Sequence, residues 1–237
     1  MASSREPRTA PDGSPAAMYP DRLGDGRRRL DKLRAGHLDV YQSMLEVAEG
    51  NIYVVDLFVG AVLTRSYSLV DGFITAFDSW NPIVAAPVLR MQIDSLVRIA
   101  YVARAPDADE IARAVLDGGE FRRFKDPDGQ KLTDRRLIEL AKDAHPWVPE
   151  VYERTSGWVH LSPAHIHAAW RVEGDDDSFG HLSGGLPIRP EIVGSEPMDE
   201  LLRAMTQATE DLITWVQSWE ARKGLPPGQS RPPQHRI

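Results

Sequence analysis

Between residues 27 and 50, apolar positions recur every three or four residues. In RRRLDKLRAGHLDVYQSMLEVAEG, the residues Leu30, Leu33, His37, Tyr41, Met44 and Val47 share one face, the spacing of an amphipathic helix. Gly50 follows in the position where helices commonly end. NIYVVDLFVGAVLTRSYSLVDGFITAFDSW predicts a second, longer and more apolar helix, stopped at Asn81-Pro82. The link between the two is short, so they are expected to pack antiparallel. NPIVAAPVLRMQIDSLVRIAYVARA predicts a third helix, kinked at Pro87 or beginning there. DADEIARAVLDGG predicts a short fourth, capped by Asp107 or Asp109.

The pattern then becomes more polar. EFRRFKDPDGQKLT reads as a connection rich in Arg and Lys. TDRRLIELAKDAH and PWVPEVYERTSGWVH predict two further short helices, the second with Pro149 in its first turn. AHIHAAWRVEGDDDSFGHLSGGLPI mixes alternation with turn residues, so residues 164–188 are expected to form a β-like hairpin or irregular arm. EPMDELLRAMTQATEDLITWVQSWEARK closes the pattern as an amphipathic helix with Leu201, Met205, Leu212, Val216 and Trp219 inside. The expected fold is an all-α helical bundle, one domain over 26–222, with that non-helical insert before its last helix. Residues 1–25 and 223–237 are rich in Pro, Ser and Gly and are expected to be disordered.

Composition narrows the class. Hydrophobic residues make up 42% and charged residues 27% of 237, ordinary for a globular protein. The net charge of -7 argues against coating nucleic acid by bulk electrostatics, though it allows a local basic cleft. There is no cysteine, which excludes disulfides and thiolate metal sites. No run reaches the roughly 18 uncharged apolar residues of a membrane span, and LFVGAVL at 57–63 is flanked by Asp56 and Arg65. The start lacks the apolar core of a signal peptide, so the expected location is the cytoplasm, without membrane contact.

Three features could carry chemistry. On the apolar third helix, Arg90, Asp94 and Arg98 recur on one stripe. They either line a polar cavity, with Arg90 and Arg98 meeting a substrate, or form an internal ladder that fixes helix register. On the second helix Asp56, Thr64, Ser68, Asp71 and Thr75 interrupt the apolar run, and Asp71 and Arg65 are candidate partners for Arg98 and Asp94. The third feature is VYERTSGWVHLSPAHIH at 151–167, which holds three of the seven histidines. Pro163 forces a bend soon after His160. An imidazole that moves a proton, with a guanidinium that steadies phosphorane-like charge, is the equipment of metal-free phosphodiester cleavage. Arg154 and His160 are the pair for it, with Ser156 and His165 beside them as substrate contacts.

A metal reading is also open. If AHIH is extended, His160, His165 and His167 could converge like a hydrolytic zinc site, although no known zinc spacing matches and no metal or other cofactor is expected. The glycine pairs in DGGEF and SGGL lack the setting of a phosphate loop, and no Gly-x-Ser-x-Gly elbow occurs. The basic run RRRLDKLR could touch RNA or be the solvated face of the first helix.

LRMQIDSLVRIAYV and YERTSGWVHLSPAHI together resemble the HEPN-like superfamily. Within it they are most similar to an uncharacterised bacterial family with an Arg-x-x-x-acid helix and a Ser-x-x-x-His turn. The resemblance spans residues 50–220 in overall pattern. It implies a helical bundle that often dimerises, and in many members a metal-independent ribonuclease of toxin–antitoxin or phage-defence systems. It implies Arg154, Thr155 and His160 as the signature, with Asp94 as the assisting acid. The Gly-Trp pair inside that signature departs from the regular helix usual there. The expectation is therefore an RNA-directed HEPN-like protein with catalytic Arg154, His160 and Asp94, and RNA, an antitoxin or an assembly partner, or a second copy as its partners. The alternative is a non-catalytic interaction or assembly protein in which Arg90, Asp94 and His160 form a buried structural network.

Overall fold

The computed structural model describes residues 21–223 apart from 48, 107, 174–180 and 185–192. The disorder expected for 1–20 and 224–237 lies outside the described residues, as does the expected cap Asp107. The all-α bundle is present. Four long helices form it: α1 (Asp21–Glu46), α2 (Val54–Asp78), α3 (Pro82–Val102) and α8 (Ser195–Lys223). Between α3 and α8 come α4 (Ala108–Leu116), a 3-10 turn (Phe121–Arg123), α5 (Asp134–Ala141), α6 (Val148–Ser156) and α7 (Pro163–Ala169). Strands β1 (Trp170–Glu173) and β2 (His181–Gly184) then pair antiparallel, Trp170 opposite Gly184.

Three boundaries differ from expectation. The first helix begins at Asp21 rather than 26, because Leu23 and Arg27 are buried and Arg27 pairs with Asp78 at the far end of α2. Lys223, assigned to the tail, is the buried last residue of α8. Residues 163–169, expected to be extended, are helical, so the hairpin is confined to the two strands after them. Asn81 caps α3, its side chain accepting from Val84 N at 3.3 Å, and Pro82 takes the first turn. The helix therefore starts where Asn-Pro stands and runs through Pro87.

Helix directions follow from which residues meet. The start of α1 meets the end of α2 through Arg27 and Asp78, and the middles meet through His37 and Ser66. Glu49 and Gly50, with φ of 60° and 73°, reverse the chain between them. α2 and α3 are likewise antiparallel, with Arg65 beside Asp94. α8 runs parallel to both α1 and α3: Arg29 meets Glu210 and Ser43 meets Glu220, while Gln92 meets Thr209 and Arg222 meets Ala103. The bundle is thus up-down-up-up, and α4 to α7 with the hairpin form the long crossover that this topology requires.

Two buried polar features join the long helices. At one end Lys223 Nζ lies 3.0 Å from Asp56 Oδ2 and donates to Met44 O at 2.8 Å. Asp56 also accepts from Tyr53 N at 2.7 Å and from Trp219 Nε1 at 2.8 Å. Both side chains are fully enclosed, so the charges are tolerated only because each is paired and hydrogen-bonded.

At mid-height every long helix supplies one side chain to a polar layer: His37, Ser66, Gln92 and Thr209, all buried. His37 Nδ1 sits 2.8 Å from Leu33 O, which can only accept, so Nδ1 carries the proton. Nε2 then accepts from the Ser66 hydroxyl at 2.9 Å. Gln92 Nε2 donates to Ser66 Oγ at 2.6 Å and to Thr209 Oγ1 at 3.3 Å. Thr209 passes its own proton to Met205 O. Gln92 Oε1 is buried without a hydrogen-bond partner among the described residues, so the layer also costs stability.

The layer makes folding sensitive to acid. Burial lowers the His37 pKa below its ordinary 6.5, against the opposing pull of the Leu33 and Arg34 backbone. The unfolded chain therefore takes up a proton that the folded chain resists. Stability is fully present above the unfolded pKa and falls as pH drops below about 6.5. The urea midpoint is expected to fall between about pH 7.5 and pH 5.5, and His37→Asn to flatten that slope. A slope that persists undiminished in the variant would contradict the assignment.

Candidate functional site

The stretch 151–167 occupies the turn from α6 to α7. Pro149 opens α6, and the helix ends at Ser156, whose hydroxyl bonds back to Tyr152 O at 2.7 Å. Gly157 to His160 form turns, and Ser162 with Pro163 starts α7. His165 Nδ1 accepts from Ser162 N at 3.2 Å, and its ring lies 5.4 Å from Trp158. His165 therefore caps a helix. Because α7 is helical, His165 and His167, two residues apart, point to different sides. That removes the geometry on which the zinc reading depended, and no group of three metal-ligating side chains occurs among the described residues.

Arg154 is exposed but engaged. It pairs with Glu200 of α8, and Glu150 lies 3.8 Å away one turn earlier. His160 is exposed and, among the described residues, makes no hydrogen bond or ion pair. Around it the chain shows Val159, Leu161, Ile166 and Trp170 to solvent, with Leu161 92% exposed. Arg154 lines a cleft of about 580 Å³ between α1, α6 and α8, and a smaller cavity of about 270 Å³ with Trp158 and Leu201. The walls of both are made without His160 or Asp94.

The α3 stripe forms a charge network of its own. Arg98 Nε lies 3.0 Å from one Asp94 oxygen and 3.1 Å from the other, and Nη2 reaches Asp134 of α5 at 2.7 Å. Arg65 of α2 reaches Asp94 at 3.3 Å, bonds Ser95, and donates to Met91 O. Arg90 lies over the Tyr152 ring of α6, 3.5 Å from its centroid, bonds the phenol oxygen, and stands 3.9 Å from Asp134. Burial opposes the charge on Arg98, but its bonds to Asp94 and the charge of Asp134 outweigh it and raise its pKa. Burial chiefly raises the Tyr152 pKa, so the phenol stays protonated at neutral pH. Three guanidinia thus share two carboxylates across α2, α3, α5 and α6. Of the two pairings expected across α2 and α3, Arg65 with Asp94 forms. Asp71 instead pairs with Arg34 of α1.

One cluster escaped the sequence reading. His145, between α5 and α6, sits 2.9 Å from Asp211 of α8 through Nδ1, and its Nε2 accepts from Trp215 Nε1 at 2.9 Å. Trp147 Nε1 and Gln207 also donate to Asp211. Burial would raise the Asp211 pKa, but these donors, His145 foremost, hold it below the ordinary carboxylate value. Both imidazole nitrogens are engaged, so this group clasps the crossover to α8. A His beside Pro in a short connection carries no periodic signal, and Asp211 is 66 residues away.

The placement separates two roles. Asp94→Asn leaves Arg65 and Arg98 sharing a neutral amide, and is expected to cost about 1–3 kcal/mol in urea unfolding. His160→Ala is expected to change stability by less than about 0.5 kcal/mol. A larger loss for His160→Ala than for Asp94→Asn would reverse the assignment. Compared with known proteins, the chain matches no family model, no curated protein and no solved structure.

Proposed function

We propose that this chain is a non-catalytic interaction or assembly protein built on a HEPN-like bundle. The observation that carries this reading is that the nominated catalytic groups line no common cavity and that two of them are already engaged. Asp94 is engaged by Arg65 and Arg98, and Arg154 by Glu200. Catalysis by proton transfer and charge stabilisation needs such groups converged on one reacting phosphate. The network of this reading is the half-buried α3 ladder with Tyr152 and Asp134, and the exposed His160 is outside it. The buried histidines, His37 and His145, belong to other clusters. The exposed apolar turn at Val159, Leu161 and Ile166 suits contact with another macromolecule better than it suits a phosphate. Such a protein would work in the cytoplasm, where an antitoxin-like or assembly partner would meet it.

A second reading keeps one specific observation in its favour. His160 is accessible and unbonded, as a metal-independent ribonuclease requires of its proton-transfer group. RNA cleavage in EDTA separates the two. The purified chain is expected to leave RNA intact, with His160→Ala indistinguishable from it. Cleavage that leaves cyclic-phosphate ends and disappears in a folded His160→Ala variant would establish the nuclease instead.

A further inference from the structure

Arg154 and Glu200 form an exposed ion pair between α6 and α8, and the pair lies over apolar ground. On one side of it is the cavity of about 270 Å³. Its walls include Leu89 of α3, Thr155 of α6 and Leu201 of α8, all buried. Trp158, from the turn after α6, forms another wall, its ring 5.4 Å from that of His165. On the other side is the open cleft of about 580 Å³, which Arg154 and Glu200 also line. The pair therefore stands where the cavity meets the cleft.

The interior and the rim ask for different chemistry. Thr155 gives its hydroxyl proton to Val151 O at 2.7 Å, so it keeps no donor for a ligand. The rest of the interior is largely apolar. Its volume is just below the roughly 300–1,000 Å³ of pockets for drug-sized ligands, which suits a smaller molecule. At the rim, Arg154 makes one hydrogen bond among the described residues, from Nη2 to Glu200 Oε2. Its Nη1 stands 3.8 Å from Glu150, and its Nε is unused there. Glu200 Oε1 also has no hydrogen-bond partner among the described residues. The two side chains are 59% and 37% exposed, so a free donor and a free acceptor stand side by side and open to a ligand.

We propose that this cavity binds a free α-amino acid with a large apolar side chain. The side chain enters between Leu89, Leu201 and Trp158. The carboxylate accepts from Arg154, whose planar fork suits it, and the ammonium donates to Glu200. An organic anion alone would be repelled by Glu200 and Glu150, and an organic cation alone by Arg154. A zwitterion meets each member of the pair with its opposite, so the four charges alternate. A peptide terminus carries only one of the two charges, which leaves the free amino acid as the matching occupant. Burial of the side chain supplies affinity, and the ion pair supplies selection.

Isothermal titration of the full chain with L-phenylalanine and with L-leucine is expected to show saturable one-to-one binding at millimolar concentration. 3-Phenylpropanoate and 2-phenylethylamine each keep the ring and one charge, and are expected to bind about tenfold more weakly or less. L-Alanine keeps both charges without the large side chain and is expected to give no saturable heat. Arg154→Gln and Glu200→Gln change exposed side chains, so far-UV helicity should be unchanged while affinity falls about tenfold in each. Ala204→Leu fills the cavity without altering the pair and should abolish binding. No saturable binding of either large amino acid, equal binding of a single-charge analogue, or folded variants that bind like the parent would overturn the proposal. Binding is read as heat, so the outcome is separate from that of the RNA cleavage assay.

Discussion

Four helices with only apolar inner faces can slide by a turn or exchange neighbours at small cost, because dispersion and hydrophobic burial are not directional. The layer of His37, Ser66, Gln92 and Thr209 removes that freedom. Each long helix contributes one member, and every link is a directional hydrogen bond. A shift of one turn in any helix would leave buried donors and acceptors without partners, at about 1–3 kcal/mol each. The layer is not fully satisfied, since Gln92 Oε1 has no partner among the described residues. It acts against alternative packings more than it adds to net stability.

The other polar clusters extend the same control outward. Asp56 and Lys223 tie the ends of α1, α2 and α8 together, Lys223 reaching Met44 O. Because α8 runs parallel to α3, the chain must travel the length of the bundle between them, and that crossover needs anchors. The α3 ladder holds α5 through Asp134 and α6 through Tyr152, and the His145–Asp211 clasp holds the connection between them to α8. Seen this way, the charged stripe on α3 is placed by topology. A helix that touches α2, α5, α6, α7 and α8 must carry groups that pair with several neighbours. Phosphate recognition is not needed to explain its arginines.

The helices themselves were legible in the sequence because periodicity reports burial directly. Leu30, His37 and Met44 are on the inner face of α1 as their spacing implies, while Tyr41 has rotated to the wall of an outer groove between α1 and α2. Asn81-Pro82 was readable as both a stop and a start because its mechanism is local. Contacts that depend on tertiary geometry were not readable. Lys223 looks like the first residue of a Pro-rich tail, and only the position of Asp56 across the bundle makes it a core residue. AHIH alternates like a strand, but Ser162 and Pro163 begin a helix just before it, and local capping overrides alternation. Arg154 and His160 are close along the chain, but nearness in sequence does not reveal that Glu200 engages the arginine.

Replacing the whole layer at once would test its role most directly: His37→Leu with Ser66→Ala, Gln92→Leu and Thr209→Val. Such a variant keeps apolar volume and removes every polar group of the layer, so helicity and resistance to urea should survive or rise. Its amide NMR spectrum should nevertheless broaden and lose dispersion, as helices sample several registers. A sharp, well-dispersed spectrum matching that of the parent would contradict the claim that the polar layer selects the packing.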